Sequence, residues 1–326
     1  MLYMYGCPMH LGVGDKGLIE SLKYLGEHDP NLVFPILSEI VKEEADLPNL
    51  KNLNSVAATC EQIAEYAYRI LSGGDTPLFI AGDHSSVMGS VSATSVYTRN
   101  RKEHTPGVLS GVLDNRKQHS LDVPSSIHGS EANNDTGLIW IDAHPDINTD
   151  ETTVTGNIHG MPVAALLGLG TDRLTGFLDS SRKLKPENVV MLGLRDIDPP
   201  EQITLDTNGI RYYTYDTICR RGLDVCLAES ISYLKHLSSV HLSFDIDSMN
   251  PKIMPGVSVP VAGGFTVSEV EKMFDVLLPA LPIIACDIVE FNHIHDKEDR
   301  TASFVSKLVK KIQDFYADRK TAPAGN

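Results

Sequence analysis

The chain has 326 residues, 42% hydrophobic and 22% charged, a composition that buries a sizeable core and needs one large α/β domain or two ordinary ones. Its formal net charge of −15 and pI near 5.2 argue against a nucleic-acid partner, which requires a basic footprint. The same balance suits metal cations or cationic substrates, although many enzymes are acidic for solubility alone.

Short apolar runs recur along the chain at 2–6 (LYMYG), 77–82 (PLFIAG), 138–143 (LIWIDA), 188–194 (NVVMLGL), 239–247 (SVHLSFDID) and 282–291 (PIIACDIVEF). Between them lie amphipathic stretches such as 60–71 and 267–278, apolar at helical spacing. Continuous rather than alternating strands, separated by helices, predict a mostly parallel sheet covered on both faces: a single-domain three-layer α/β/α fold. One domain is expected over 1–315, with a C-terminal tail at 316–326 that frays. Residues 100–137, polar and rich in Gly, Ser and Asn, read as a surface insertion.

Five scattered cysteines without a CxxC are not a disulfide framework and point to a reducing, cytoplasmic setting. The N-terminal MLYMYGCPMH lacks the basic and apolar regions of a signal peptide. No run approaches the roughly 18 apolar residues of a membrane span, so no membrane partner is expected.

The strands share a habit of ending in ionisable residues. PLFIAG runs into Asp83 and His84, LIWIDA into Asp142, His144 and Asp146, VHLSF into Asp245 and Asp247, and IIACDIV into Glu290. In an open parallel sheet, ligands bind outside the carboxyl ends of the strands, so these groups are expected to converge. Carboxylates gathered in one crevice repel unless a cation sits among them. His84, His144, Asp142, Asp146, Asp245 and Asp247 make six N/O ligands with no thiolate, too many for one tetrahedral zinc. Two bridged divalent ions fit better; the donors suit Mn²⁺, with Zn²⁺, Co²⁺ and Fe²⁺ as alternatives.

AGDHS (81–85), DAHPDIN (142–148), TGNIHG (155–160), GLRDIDPPE (193–201), SFDIDSMNP (243–251) and DIVEFN (287–292) resemble, in this order, the motifs of the ureohydrolase superfamily, and within it the arginases. The resemblance covers nearly the whole chain. It implies two Mn²⁺ per subunit, one held by His84 and Asp146, the other by His144 and Asp247, with Asp142 and Asp245 bridging. It also implies catalytic roles for His159, a proton shuttle, for Glu290, which pairs with the substrate guanidinium, and for Asp146 and Asp247, which stabilise charge or move a proton. Asn148, Thr155 and Asn157 would hold the α-carboxylate of a small guanidino substrate, and Asp198 and Glu201 its α-ammonium. A homo-oligomer, trimer or hexamer, is expected by the same resemblance.

Three departures stand out. Ala81 replaces the first glycine of GGDHS, Asn250 replaces the aspartate before proline, and Val257 and Val259 replace hydroxyl residues near the guanidinium. PGVS (255–258) resembles formiminoglutamate hydrolases. Arginine hydrolysis to ornithine and urea is therefore the first expectation. Other guanidino or formimino substrates, agmatine among them, and a pseudoenzyme remain alternatives.

Overall fold

The computed structural model describes residues 1–43, 49–103 and 135–321. Seven strands form one sheet: β1 (Leu2–Cys7), β2 (Thr76–Ala81), β3 (Thr136–Ile141), β4 (Val189–Leu194), β5 (Arg211–Thr214), β6 (Ser239–Asp245) and β7 (Ile283–Val289). Their order is β1-β2-β7-β6-β3-β4-β5, and every pairing is parallel. All six residues of β3 and β4 and all seven of β6 are buried, which is why these segments read as unbroken apolar runs.

Alternate residues of each strand enter one of two cores. Leu78, Ile80, Ile139, Ile141, Leu242 and Phe244 pack with α1 (Ser21–His28), α7 (Tyr215–Arg221), α8 (Leu223–Leu234), α9 (Val267–Ala280) and α10 (Arg300–Thr321). Phe79, Ala81, Leu138, Trp140 and Met191 pack with α2 (Leu53–Ser72), α3 (Val87–Glu103) and the short α4 (Pro162–Leu166) and α5 (Asp172–Thr175). Helix α2 turns Val56, Cys60, Ile63, Ala67, Ile70 and Leu71 inward, a three-to-four-residue spacing that fills one stripe. The three-layer α/β/α architecture is the predicted one.

Three boundaries differ from the sequence expectation. Strand β5 was not anticipated: it has four residues and only Tyr213 is buried, too short and too mixed for a periodic signal. Of the insertion expected at 100–137, the ends fall in regular elements, since residues through Glu103 continue α3 and Thr136 already opens β3; residues 104–134 lie outside those described. The tail does not begin at 316. Helix α10 runs to Thr321, and Tyr316 is buried with its hydroxyl donating to the carbonyl of Ile283 at 2.8 Å. The last residues, 322–326, lie outside those described. Among the described residues no helix is long and apolar enough to cross a membrane.

The sheet order sets the site. The chain builds β1 and β2, jumps to β3, moves outward to β5, then returns to insert β6 and β7 between β2 and β3. The four central strands, β2, β7, β6 and β3, therefore deliver His84, Glu290, Asp245 and Asp142 to one end of the sheet.

Ala81 is explained by register. It still pairs with Cys7 as the last residue of β2, so the strand accepts its Cβ. The chain turns at Gly82, where a Cβ would lie 1.8 Å from the carbonyl oxygen of Met9. Gly82→Ala is expected to cost about 3 kcal/mol of stability, whereas Ala81→Gly costs about 1 kcal/mol from backbone entropy. Urea unfolding of the two metal-free variants measures the difference, and equal midpoints would refute the assignment.

Candidate metal centre and active site

Each cluster residue sits where a strand gives way to a tight turn. His84 opens a 3-10 turn after β2, Asp142 follows β3 directly, and Asp245 ends β6 and caps the turn that carries Asp247. Asp146 and Glu290 have φ of +48° and +66°, a left-handed conformation that non-glycine residues adopt at a cost of about 1 kcal/mol or more. The surrounding bonds hold both in place. The Asp146 carbonyl accepts from Val163 N–H at 3.0 Å, and Glu290 N–H donates to the Gly82 carbonyl at 2.7 Å.

His84 Nδ1 lies 3.0 Å from Asp142 Oδ2, 3.1 Å from Asp146 Oδ2 and 3.0 Å from Asp245 Oδ2, all buried. No hydrogen bond of proper geometry satisfies that nitrogen or Asp142 Oδ2 among the described residues. The other ring nitrogen, Nε2, lies 3.0 Å from the Ser243 hydroxyl, and the ring stacks on Trp140 at 3.8 Å. A neutral imidazole carrying its proton on Nε2 points a lone pair from Nδ1 at three carboxylate oxygens. Four electron-rich atoms converging on one point fit a cation between them.

A second group adjoins it. His144 Nδ1 lies 3.1 Å from Asp247 Oδ2 and 3.5 Å from Asp142 Oδ1. Asp142 thus divides its two oxygens between the histidines, the arrangement of a bridging carboxylate, and each group of three can hold a metal ion. For Asp245 the geometry is one-sided. Oδ2 faces His84, while Oδ1 accepts the Asp247 N–H at 2.7 Å.

The electrostatics of the cradle are strained in the same sense. Burial raises the pKa of Asp146, Asp245 and Asp247, and Asp142 adds to the push on all three. Burial also works against ionisation of Asp142, but His144 and His84 overcome it and hold that carboxyl well below its usual range. Both histidines are raised by their carboxylates despite burial.

Glu290 is buried beside the cradle. Its Oε1 accepts the His84 N–H at 2.9 Å and lies 3.7 Å from His159 Nδ1, while its Oε2 has no partner among the described residues. Burial raises its pKa; burial acts to lower that of His159, but Glu290 outweighs it and leaves the imidazole raised.

The residues expected around the amino acid end divide. Asn148 Oδ1 accepts from Thr152, Thr155 Oγ1 from Asn157 N–H, and Asn157 Oδ1 from Lys51 Nζ, so both side-chain amide nitrogens keep their donors free among the described residues. Asp198 is exposed at the start of α6 (Pro199–Asn208). Glu201 is not an open carboxylate. It is 5% exposed, with Oε1 accepting Ile147 N–H at 3.2 Å and Oε2 accepting Asp198 N–H at 3.0 Å. Burial raises its pKa to about 7. It staples α6 to the loop carrying Asp146.

The departures also resolve. Asn250 Oδ1 accepts Lys252 N–H at 3.0 Å, a turn contact that needs no charge. Val257 is buried in the core, and Ser258 keeps a hydroxyl in the loop, accepting from Asn292 Nδ2 at 3.0 Å.

Several supporting residues were not singled out from the sequence. Ser243 and Trp140 orient His84. Asp83, by contrast, was expected from the sequence to converge with the others, but its carboxylate instead accepts Gly12 N–H at 2.8 Å, tying down the glycine-rich N-terminal loop. Arg195 donates to the carbonyls of Asp247, Ser248, Met249, Val261, Ala262 and Gly193, joining the turn of Asp247 to the loop after Pro260. Its position inside GLRDIDPPE was the available signal.

Comparisons with known proteins agree with this geometry. Residues 118–313 match the family model described as "Arginase family". The chain is 32% identical to the arginase of Bacillus subtilis (strain 168), covering 94% of this chain and 95% of that protein. It is 34% identical to the arginase of Bacillus caldovelox, covering 94% and 96%. The crystal structure of the Bacillus subtilis arginase superposes with a TM-score of 0.77 at 31% identity over 95% of this chain and 97% of that one. The Bacillus caldovelox arginase superposes at 0.76 with 32% identity, over 94% and 96%. The proclavaminate amidino hydrolase of Streptomyces clavuligerus, 17% identical at a TM-score of 0.67, shares the fold alone. With sequence, fold and relatives in agreement over nearly its whole length, the chain belongs to the arginase family.

Proposed function

We propose that the protein hydrolyses L-arginine to L-ornithine and urea, with two Mn²⁺ held by His84, Asp142, His144, Asp146, Asp245 and Asp247. The observation that carries this beyond the family is Glu290 Oε2, a buried carboxylate oxygen without a partner among the described residues, beside the metal cradle. A planar cation with N–H donors is the natural occupant of such an oxygen. When bound, the metal pair supplies Lewis acidity that brings the pKa of water down toward neutrality.

The chain's own residues do the rest. Glu290 orients the guanidinium by charge-assisted hydrogen bonds and presents its carbon to the attacking oxygen. Asp247 and Asp146 face the position where charge develops. As the C–N bond breaks, the leaving amine requires a proton. His159, whose proton affinity Glu290 raises, delivers it from the solvent side, where its side chain is 21% exposed. The free donors of Asn148, Thr155 and Asn157 suit an α-carboxylate, and the exposed Asp198 suits an α-ammonium. Agmatine, lacking the carboxylate, would leave those donors unpaired.

Urea release should be measured on protein stripped of metal and reloaded with Mn²⁺, with agmatine and formiminoglutamate in parallel. Mn²⁺-dependent urea from L-arginine is the expected result. Preferential turnover of another substrate would move the assignment to a sister activity. Two metals bound with no turnover of any substrate would overturn it. A single folded domain through residue 321, a trimer or hexamer, and a cytoplasmic setting complete the proposal. Light scattering tests the assembly.

A further inference from the structure

We propose that Lys51 is a specificity-determining residue that reads the substrate's α-carboxylate, acting through Asn157 and through its own charge. The inference rests on the arginine-hydrolase reading above and adds a residue to it. Lys51 stands two residues before α2, 106 positions before Asn157, and its Nζ donates to Asn157 Oδ1 at 2.9 Å. An asparagine amide can face a ligand with either end, and the two ends have opposite hydrogen-bonding sense. A cation fixed on Oδ1 settles the choice. The amide oxygen turns to Lys51, and the Nδ2 donors are left for an anion. Lys51 makes no ion pair among the described residues, in a chain of net charge −15.

The contact is built into the backbone. Lys51 N–H donates to the Gly156 carbonyl at 2.9 Å, placing the 49–52 segment directly on the loop that carries Thr155 and Asn157. Gly156 has φ +74°, and a Cβ there would stand 2.8 Å from the Asn49 carbonyl oxygen, so the two segments approach as closely as glycine allows. Asn52, itself left-handed at φ +55°, donates through Nδ2 to the Leu11 carbonyl at 3.0 Å. The lysine is therefore carried on a braced segment. Its side chain is exposed, so replacing it leaves the core and the backbone bond intact.

The test compares Lys51→Met and Lys51→Arg in the Mn²⁺-loaded enzyme. Lys51→Met should raise KM for L-arginine about three- to fivefold, the scale of a solvent-screened charge, with kcat within about twofold. The difference should shrink at high salt, and Lys51→Arg should restore most of it. The inhibition constant of agmatine, which has no carboxylate, should not move. An unchanged KM in Lys51→Met would overturn the proposal. So would a fall in kcat shared by Lys51→Arg, which would mark a bracing role only, or an equal weakening of agmatine, which would mean the charge does not read the carboxylate. A wild-type enzyme that releases no urea from L-arginine would instead be a failure of the functional assignment.

Discussion

Asp142→Ala is expected to strip both metal ions and lower arginine turnover about a thousandfold or more, because one carboxylate faces both histidines. Its Oδ2 lies 3.0 Å from His84 Nδ1 and its Oδ1 3.5 Å from His144 Nδ1. Losing one member of a buried charge assembly costs about 4 kcal/mol, which is about three orders of magnitude in an equilibrium constant. The stability consequence runs the other way in the metal-free protein. Asp245 shows this best, since its carboxyl is pushed well up by burial, Asp247 and Asp142. Asp245→Asn keeps an oxygen to accept the Asp247 N–H and removes the charge. Metal-free Asp245→Asn should therefore melt no lower than metal-free wild type. Only wild type should gain stability on adding Mn²⁺, by about 2.7 kcal/mol at a hundredfold excess over Kd. Trp140 supplies an independent readout: it is the single tryptophan and is stacked on His84 at 3.8 Å, so its emission should respond to metal in wild type and not in Asp142→Ala. Two equivalents of metal retained by Asp142→Ala would end the two-ion assignment.

What could be read from the sequence was set by how local its cause is. The central strands announce themselves because a strand covered on both faces must be apolar at every position, as in Leu138–Ile141. The clustered histidines and aspartates were legible because each lies within a few residues of a strand end, so a linear pattern encodes the convergence. Strand β5 was not legible, since an edge strand of four residues with one buried side chain has no such pattern. The backbone contacts of Glu201 were hidden for a related reason. A carboxylate in DPPE looks like an open ligand, and only the tertiary fold reveals that Ile147 and Asp198 already occupy both oxygens. The Lys51–Asn157 contact joins segments 106 residues apart and leaves no local trace. The substitution of Ala81 looked disruptive in the motif and is benign in the strand, because the steric demand falls on Gly82 alone.

Strain at Glu290 leads to the second large effect. A non-glycine residue held at φ +66° costs stability, and the fold retains it where the side chain must face the cradle from the end of β7. Glu290→Gln keeps an oxygen that can accept the His84 N–H, so metal content and melting temperature should stay close to wild type. It places an amide NH₂ where the unpartnered Oε2 stood, so donor meets donor when a guanidinium enters. Removing the charge from a buried, hydrogen-bonded ion pair costs about 3 kcal/mol, and kcat/KM for L-arginine should fall about a hundredfold or more. The pH profile should move as well. Glu290 is what raises His159 against the opposing effect of burial, and its loss lets the imidazole pKa fall. A raised histidine is protonated at every pH below its folded value. Lowering that value withdraws the proton-donating form from the alkaline side, so the high-pH limb of kcat should shift to lower pH in Glu290→Gln. Metal-replete Glu290→Gln with an unshifted limb would separate His159 from Glu290 in the mechanism. Wild-type kcat/KM in the same variant would remove Glu290 from guanidinium recognition altogether.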